Sequence, residues 1–375
     1  MEADGLSRLS PQPARGLRRD GSGTSAPSAM SEDGWKVIPA MKAPAASETR
    51  RWILHLGGVA LALVAFTPLL AAQAQQPTKV FRIVELNPID APQEAYRVFR
   101  QALRELGYVQ AENILIEDRF AAGSEDRLRD YAIEAVRLRV DVIVAISSSA
   151  VKAATKATKT IPIVGLDLES DPVASGFVAS LARPGGNVTG LFLDLPELAA
   201  KRLELLKEAI PRIARVAVLW DPSMNTVPLR ATEVAARSLG LHLQIVEARR
   251  PSDFEGAFRA AVNGRNRALM VIQSPMFASH PKLIVDLAAK HRLPTTSIFS
   301  YFTEAGLLMS YGPNLNDLFR QAATYLDKIL RGARPSELPV QRPTRFELIV
   351  NVKAAKALGL TMPPSLLLRA DQVIE

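Results

Sequence analysis

From Val80 onward, short apolar runs alternate with segments whose apolar residues recur every three or four positions. "VFRIVEL" has the pattern of a strand. The next segment, "PQEAYRVFRQALRELG", puts Tyr96, Phe99 and Leu103 on one helical stripe, with Gly107 placed to close it. "ILIEDR" alternates as a strand, and "EDRLRDYAIEAVRLR" is a charged amphipathic helix. "VDVIVAI" is a buried strand, "SAVKAATKAT" a helix and "IPIVGLD" another strand. Strands separated by helices of this length pair in parallel, because the return path must run the length of the sheet.

"ARPGGNVTG" at 182–190 interrupts the series with Pro184 and the pair Gly185-Gly186. A second series follows: "RLELLKEAI" helix, "RVAVLW" strand, "RATEVAARSLG" helix, "HLQIVE" strand, "SDFEGAFRAAV" helix with Ser252 as its expected N-cap, "ALMVIQ" strand, "PKLIVDLAAKHR" helix and "LPTTSIF" strand. The matching order predicts an α/β protein of two similar Rossmann-like lobes with parallel sheets. After "GLLMSYGPN" come one more helix, "LNDLFRQAATYLDKILRG", a Pro-rich turn and "RFELIVNVKAAKALGL". The expected division is 78–189 plus 311–337 for the first lobe and 190–310 plus 338–375 for the second. Linkers near 190, 310 and 340 then make a multi-strand hinge across a clam-shell cleft.

The front of the chain has a different pattern. Residues 1–48 are rich in Pro, Ser, Gly and Ala without an apolar period, and are expected to be a disordered extension. Met41 is a second candidate start, opening "MKAPAASETRR". Residues 49–74 have the parts of a signal peptide: Arg50 and Arg51, the apolar run Leu56 to Phe66, Pro68, and the small-x-small sequence Ala72-Gln73-Ala74. The alternative is an uncleaved anchor, since Trp52 to Leu70 would be long enough to span a bilayer. His55, two glycines and Pro68 weaken that span. "TRRWIL" resembles a twin-arginine export signal, departing from it at Ile53, Leu54 and His55. The expected destination is the periplasm.

Charge and cysteine content narrow the chemistry. Of the net charge of +8, residues 1–74 contribute +2, and the rest is spread without a dense Lys/Arg block. No nucleic-acid groove is expected. The chain has no cysteine, which excludes disulfides, thiolate metal sites and a cysteine nucleophile.

Candidate ligand chemistry lies where strands end. In open α/β sheets ligands bind at the carboxyl ends of strands. There Ser147, Ser148 and Ser149 follow a β-branched strand and open a helix. The first amides of a helix lack internal partners and carry partial positive charge, so hydroxyls beside them suit a carboxylate or similar small anion. One serine alone would be explained by N-capping. Asn87 and Asp90 in "LNPID", Glu169 and Asp171 in "LDLESDP", Asp221 and Asn225 in "WDPSMN", Gln273 and Ser274 in "QSPMF", and Tyr301 in "FSYF" form comparable polar tips. The acidic tips could pair with an amino group, and Phe299, Tyr301 and Tyr311 could flank an apolar or aromatic body.

Four segments carry a family resemblance: "ASLARPGGNVTGL", "KRLELLKEAIPRIARVAVLWDP", "LLMSYGPNLNDLFRQAATYLDKILRGARPSELPV" and "FELIVNVKAAKALGLTMPPSLLLRADQVIE". They resemble the ABC-transporter substrate-binding protein family, some members of which serve tryptophan or tyrosine uptake. The resemblance spans about residues 50–375. It implies a periplasmic-binding-protein type I fold, a small ligand trapped between lobes, and delivery to a membrane permease and its ATPase. A monomer without a cofactor is expected.

No catalytic constellation is read. His242, His280 and His291 are scattered without metal-ligand spacing, and there is no Gly-x-Ser-x-Gly elbow, Gly-x-Gly-x-x-Gly turn or phosphate loop. An enzyme is disfavoured. A ligand-binding adaptor or sensor on the same fold is the alternative to transport. A regulator would need a helix-turn-helix, and a membrane sensor a second span with an output domain; neither is read in this sequence.

Overall fold

The computed structural model describes residues 79–89, 93–193, 196–224 and 226–375. The disordered extension and signal peptide expected over 1–74, together with Asp90 and Asn225, lie outside the described residues.

The first lobe runs β1 (Phe81–Asn87), α1 (Gln93–Glu105), β2 (Ile114–Phe120), α2 (Glu125–Arg137), β3 (Val142–Ile146), α3 (Ser148–Ala157), β4 (Ile163–Asp167) and β5 (Val188–Phe192). Its five strands are all parallel, in the order β2-β1-β3-β4-β5. The stripe on α1 behaves as its spacing predicts: Phe99 and Leu103 are buried and Tyr96 lies at the margin. α2 starts where Ser124 accepts the Arg127 amide at 3.2 Å, with Glu125 and Asp126 in its positive first turn.

The second lobe continues through α4 (Pro196–Ala209), β6 (Arg215–Trp220), α5 (Val227–Ser238), β7 (His242–Glu247), α6 (Phe254–Asn263), β8 (Ala268–Val271), α7 (Pro275–Ala278), α8 (Pro281–Lys290), β9 (Thr295–Ser297), α9 (Ser300–Glu304) and β10 (Met309–Pro313). After α10 (Leu315–Leu330) come β11 (Phe346–Asn351), α11 (Val352–Ala357), α12 (Pro364–Leu367) and β12 (Gln372–Ile374). The seven-stranded order is β12-β11-β10-β9-β8-β6-β7. β11 runs antiparallel to β10, because the chain re-enters this sheet from the opposite end. Ser252 does not cap α6. It sits inside a 3-10 turn, Pro251–Asp253, that Asp253 closes by accepting the Arg249 amide at 3.0 Å.

The chain passes three times between the two sheets. β5 completes its pairing to Phe192 in the first sheet, and β10 pairs to Pro313 in the second. α10 then returns to pack on the first lobe through Leu318, Phe319, Ala322 and Leu326. Residues 338–341 stay on the first lobe's edge, where Gln341 donates its amide to Gly190 and accepts that of Phe192. Gly190 is required here. At φ +132°, a Cβ would sit 2.1 Å from the Gly165 carbonyl oxygen on the neighbouring strand.

Each sheet is covered on both faces by its own apolar clusters. Phe99 and Phe192 anchor the first lobe, and Phe254, Phe258, Phe277 and Phe302 the second; all six are fully buried. Each such side chain contributes about 1.5–3 kcal/mol by leaving water. Among the described residues no helix is long and apolar enough to cross a membrane.

Candidate functional site

The strand orders fix where the two lobes can hold a ligand. Each five-strand parallel run reverses direction of winding once, between β1 and β3 in the first sheet and between β6 and β8 in the second. Beyond the carboxyl ends at those points the crossover helices diverge and leave a crevice. Asn87 ends β1, Ser147 follows β3, Asp221 follows β6 and Gln273 lies just past β8.

These residues face one cleft with two connected parts. The outer chamber, of about 1010 Å³, is bounded by Ser148, Ser149 and Glu169 from the first lobe and by Asp221, Ser223 and Met276 from the second. The inner chamber is only about 100 Å³. Asn87, Ser147, Glu169, Gln273, Phe299 and Tyr301 form its polar and aromatic wall. Pro88, Ile89, Glu169 and Pro275 border both chambers.

The three serines divide their work. Ser147 is the N-cap of α3, its Oγ accepting the Ala150 amide at 3.4 Å and lying 2.9 Å from the Ser149 Oγ. Its backbone adopts φ 95° and ψ 162°, a region that only glycine visits cheaply. The buried neighbours of β3 and β4 hold it there, with its amide donated to Leu166 at 2.9 Å. The consequence is a sharp turn that brings Ser148 and Ser149 to the cleft surface. Ser148 Oγ donates to Ser170 at 3.4 Å.

Glu169 is carried into the cleft by a loop that Asp167 organises. Buried Asp167 accepts the Glu169 amide at 2.8 Å and the Ser170 hydroxyl. Burial pushes the Asp167 carboxyl up to about 6, against the pull of these donors. Glu169 is driven up to about 8 by the surrounding protein and then by the Asp167 charge, while the Ser148 amide holds its carboxylate from the other side. A helix-start amide expected to meet an anionic ligand is therefore already engaged by a protein carboxylate. Asp171 lies outside the cleft: it is exposed and accepts the Val173 and Ala174 amides, a turn of its own.

On the second lobe Asp221 is buried and accepts both the amide and the hydroxyl of Ser223, at 3.0 and 2.7 Å. Gln273 turns toward the inner chamber; its Oε1 is buried with no partner among the described residues. Ser274 instead caps α7, accepting the Phe277 amide at 3.2 Å, and is fully buried away from both chambers. Tyr301 stacks on Phe299 and Phe302 at 5.6 and 4.7 Å, and burial raises its phenol so that it stays protonated. Tyr311 is elsewhere, stacked on Phe346 in the second sheet.

Sequence reasoning missed the apolar wall and the basic rim. Leu315 and Phe319 come from α10, whose inward face is set only when the chain returns to the first lobe. Ile146 and Leu168 complete that wall. Lys152, Arg249, Arg250 and His280 border the outer chamber from both lobes. The basic pair Arg249-Arg250 was visible as a charge pair after β7, but nothing local aimed it at the cleft. Among the described residues no group of His, Cys, Asp or Glu could hold a metal ion.

Residues 79–374 match the family model described as ABC transporter substrate binding protein. A curated relative, the tyrosine-binding protein of Clostridioides difficile, is 26% identical over 293 residues, covering 77% of this chain and 82% of the relative. A conserved domain protein from Vibrio cholerae superposes with a TM-score of 0.73 at 27% identity, over 79% of this chain and all of that one. A Streptococcus pneumonia ABC domain in complex with L-Trp gives 0.73 at 24% identity over the same shares. A Thermotoga maritima leucine-binding protein shares the type I binding-protein fold, with a TM-score of 0.53 at 14% identity over 74% of this chain and 87% of that one.

Proposed function

The chain belongs to the ABC transporter substrate-binding proteins, and on that premise we propose that it traps an amino acid with an apolar side chain between its lobes. It then presents that ligand to a membrane permease and its ATPase. It acts in the periplasm, as a monomer, after its leader is removed. No covalent chemistry takes place, and the ligand leaves unchanged.

The observation that carries this reading is the pairing of a small apolar inner chamber with a polar outer one at the two switch points. Glu169 stands between them and, with Asp221, offers carboxylates for an ammonium group. Ser148, Ser149 and Lys152 receive the carboxylate end, which displaces or shares the Glu169 contact at the start of α3. The relatives that bind tyrosine and L-Trp support the amino-acid class. Size separates members of that class. A cavity of about 150 Å³ holds benzene, so an inner chamber of about 100 Å³ takes an aliphatic body as it stands. An aromatic body requires the rings of Phe319 and Tyr301 to yield.

Closure follows from differential contact. A ligand shifts the open–closed equilibrium only by its extra affinity for the closed state. Here that affinity comes from touching Ser148 and Glu169 on one lobe and Asp221 and Gln273 on the other.

The test is a thermal-shift screen of the mature protein against amino acids, carboxylates, nucleosides and sugars, repeated with Ser148→Asp. Stabilisation by amino acids that Ser148→Asp abolishes supports the reading. Stabilisation only by sugars or nucleosides, unaffected by Ser148→Asp, would overturn it.

A further inference from the structure

Tyr96 lines neither chamber, yet it touches two residues that do. Its hydroxyl pairs with the Asn87 side-chain amide, and its ring lies 5.7 Å from that of Phe319 and 5.9 Å from that of Phe120. Asn87 is 1% exposed and forms part of the inner chamber's wall.

The orientation of Asn87 is settled by its other contact. The Ile89 amide lies 3.1 Å from Asn87 Oδ1, and a backbone N–H can only donate. The atom there must be oxygen, so Nδ2 faces Tyr96 and donates to the phenol oxygen. An asparagine side chain offers two donors and two acceptor lone pairs. One donor is spent on Tyr96 and one lone pair on Ile89. One N–H and one lone pair remain, in a fixed order.

A partly buried clamp around Arg100 keeps Tyr96 in register, although burial pushes the Glu85 carboxyl up to about 8. Glu85 stands two residues before Asn87 on the same face of β1 and is 1% exposed. Arg100, one turn beyond Tyr96 on α1, reaches Glu85 at 2.8 Å and Asp118 on β2 at 2.6 Å. This ties α1 down across β1 and β2 directly beside the Tyr96–Asn87 contact. Glu85 Oε2 has no partner among the described residues, and burial, followed by the Glu85 carboxylate nearby, pushes the Tyr96 phenol up so that it stays protonated.

We propose that Tyr96 is a positioning residue: held by the Arg100 contacts, it fixes the Asn87 amide so that its remaining N–H and lone pair face the ligand at the inner chamber in one order. The inference rests on the amino-acid reading of the cleft, but its geometry can be tested without a ligand.

Two measurements on the mature protein test it. First, side-chain amide hydrogen exchange of Asn87 is followed by NMR in asparagine-labelled wild type and Tyr96→Phe, which keeps the ring packing. Exchange in Tyr96→Phe should be at least about tenfold faster, as expected for a buried amide that has lost its acceptor. Unchanged exchange overturns the proposal. Second, binding of L-leucine and L-tyrosine is titrated in a cycle of Tyr96→Phe and Asn87→Ala. Tyr96→Phe should weaken binding about tenfold alone and less than twofold when Asn87 is already alanine. Equal losses in both backgrounds would mean that Tyr96 acts through packing, and would also overturn the proposal. If wild type binds neither probe nor any other amino acid, the functional reading fails. The exchange measurement then decides the positioning role by itself.

Discussion

Replacing Ser147 with glycine should leave the protein more stable than replacing it with alanine, the reverse of the usual order. In an ordinary backbone conformation alanine is favoured over glycine by about 0.4–1 kcal/mol, because glycine leaves the unfolded chain more freedom. Ser147 holds φ 95° and ψ 162°. A side chain in that region costs about 1–3 kcal/mol, and glycine alone escapes the cost. Both variants lose the Ser147 hydroxyl, but an N-cap glycine costs only a few tenths of a kcal/mol where alanine costs about 1. The cap bond here is long, at 3.4 Å, so this second difference is small. The strain therefore dominates, and glycine should exceed alanine by about 1.5 kcal/mol. In a body of this size that corresponds to about 3 °C in melting temperature. Differential scanning calorimetry of the ligand-free protein reads it directly. An alanine variant that melts at or above the glycine variant would refute the argument, and with it the idea that a strained turn is what lifts Ser148 and Ser149 into the cleft.

Three further outcomes are expected. If the ligand's ammonium meets Glu169, whose carboxyl is pushed up to about 8, affinity should climb as pH rises toward 8, by up to about tenfold per unit, and then level off. Glu169→Gln should flatten that profile in pH-dependent titration calorimetry; a flat wild-type profile contradicts the pairing. The same group has the opposite effect on the empty protein. It holds its proton more tightly folded than unfolded, so its contribution to stability is present below about 4.5 and lost as pH rises through about 8. Gly190→Ala should destabilise by about 3–5 kcal/mol, because its Cβ would meet backbone at a positive φ. Gly165→Ala should cost less, since its Cβ meets the Phe192 side chain at 2.8 Å rather than backbone, and Gly165 is not at a positive φ; urea unfolding of the two variants in the reverse order would show the close approach misassigned. Finally, N-terminal sequencing of exported protein should begin at Gln75, after Ala72-Gln73-Ala74. A start that retains 50–74 in membrane-bound protein would support an anchor instead.

The sequence by itself determined what local periodicity can determine. Apolar runs such as "VDVIVAI" and "ALMVIQ" are buried on both faces and stop where the sheet stops, so the polar residues after them were placed at strand ends without tertiary knowledge. That is why Asn87, Ser147, Ser148, Ser149, Asp221 and Gln273 all reach the cleft. It also explains the parallel core of each sheet, since strands joined by crossover helices pair in parallel, while the antiparallel β11 came only from the chain's return. Only the tertiary structure decided which tips stay local. Ser274 and Asp171 look like their neighbours in sequence, but each spends its side chain on amides two or three residues away. The inner chamber's apolar wall needed α10 to come back to the first lobe, 127 residues after that lobe's last strand began (188 to 315). Tyr96 read as one apolar member of a helical stripe, and its role depended on facing Asn87 across the α1–β1 packing. Strand ends are fixed by hydrogen-bonded register along a short stretch. The direction a helix face or loop tip points relative to a cleft is fixed by how distant segments dock, and no local pattern encodes that.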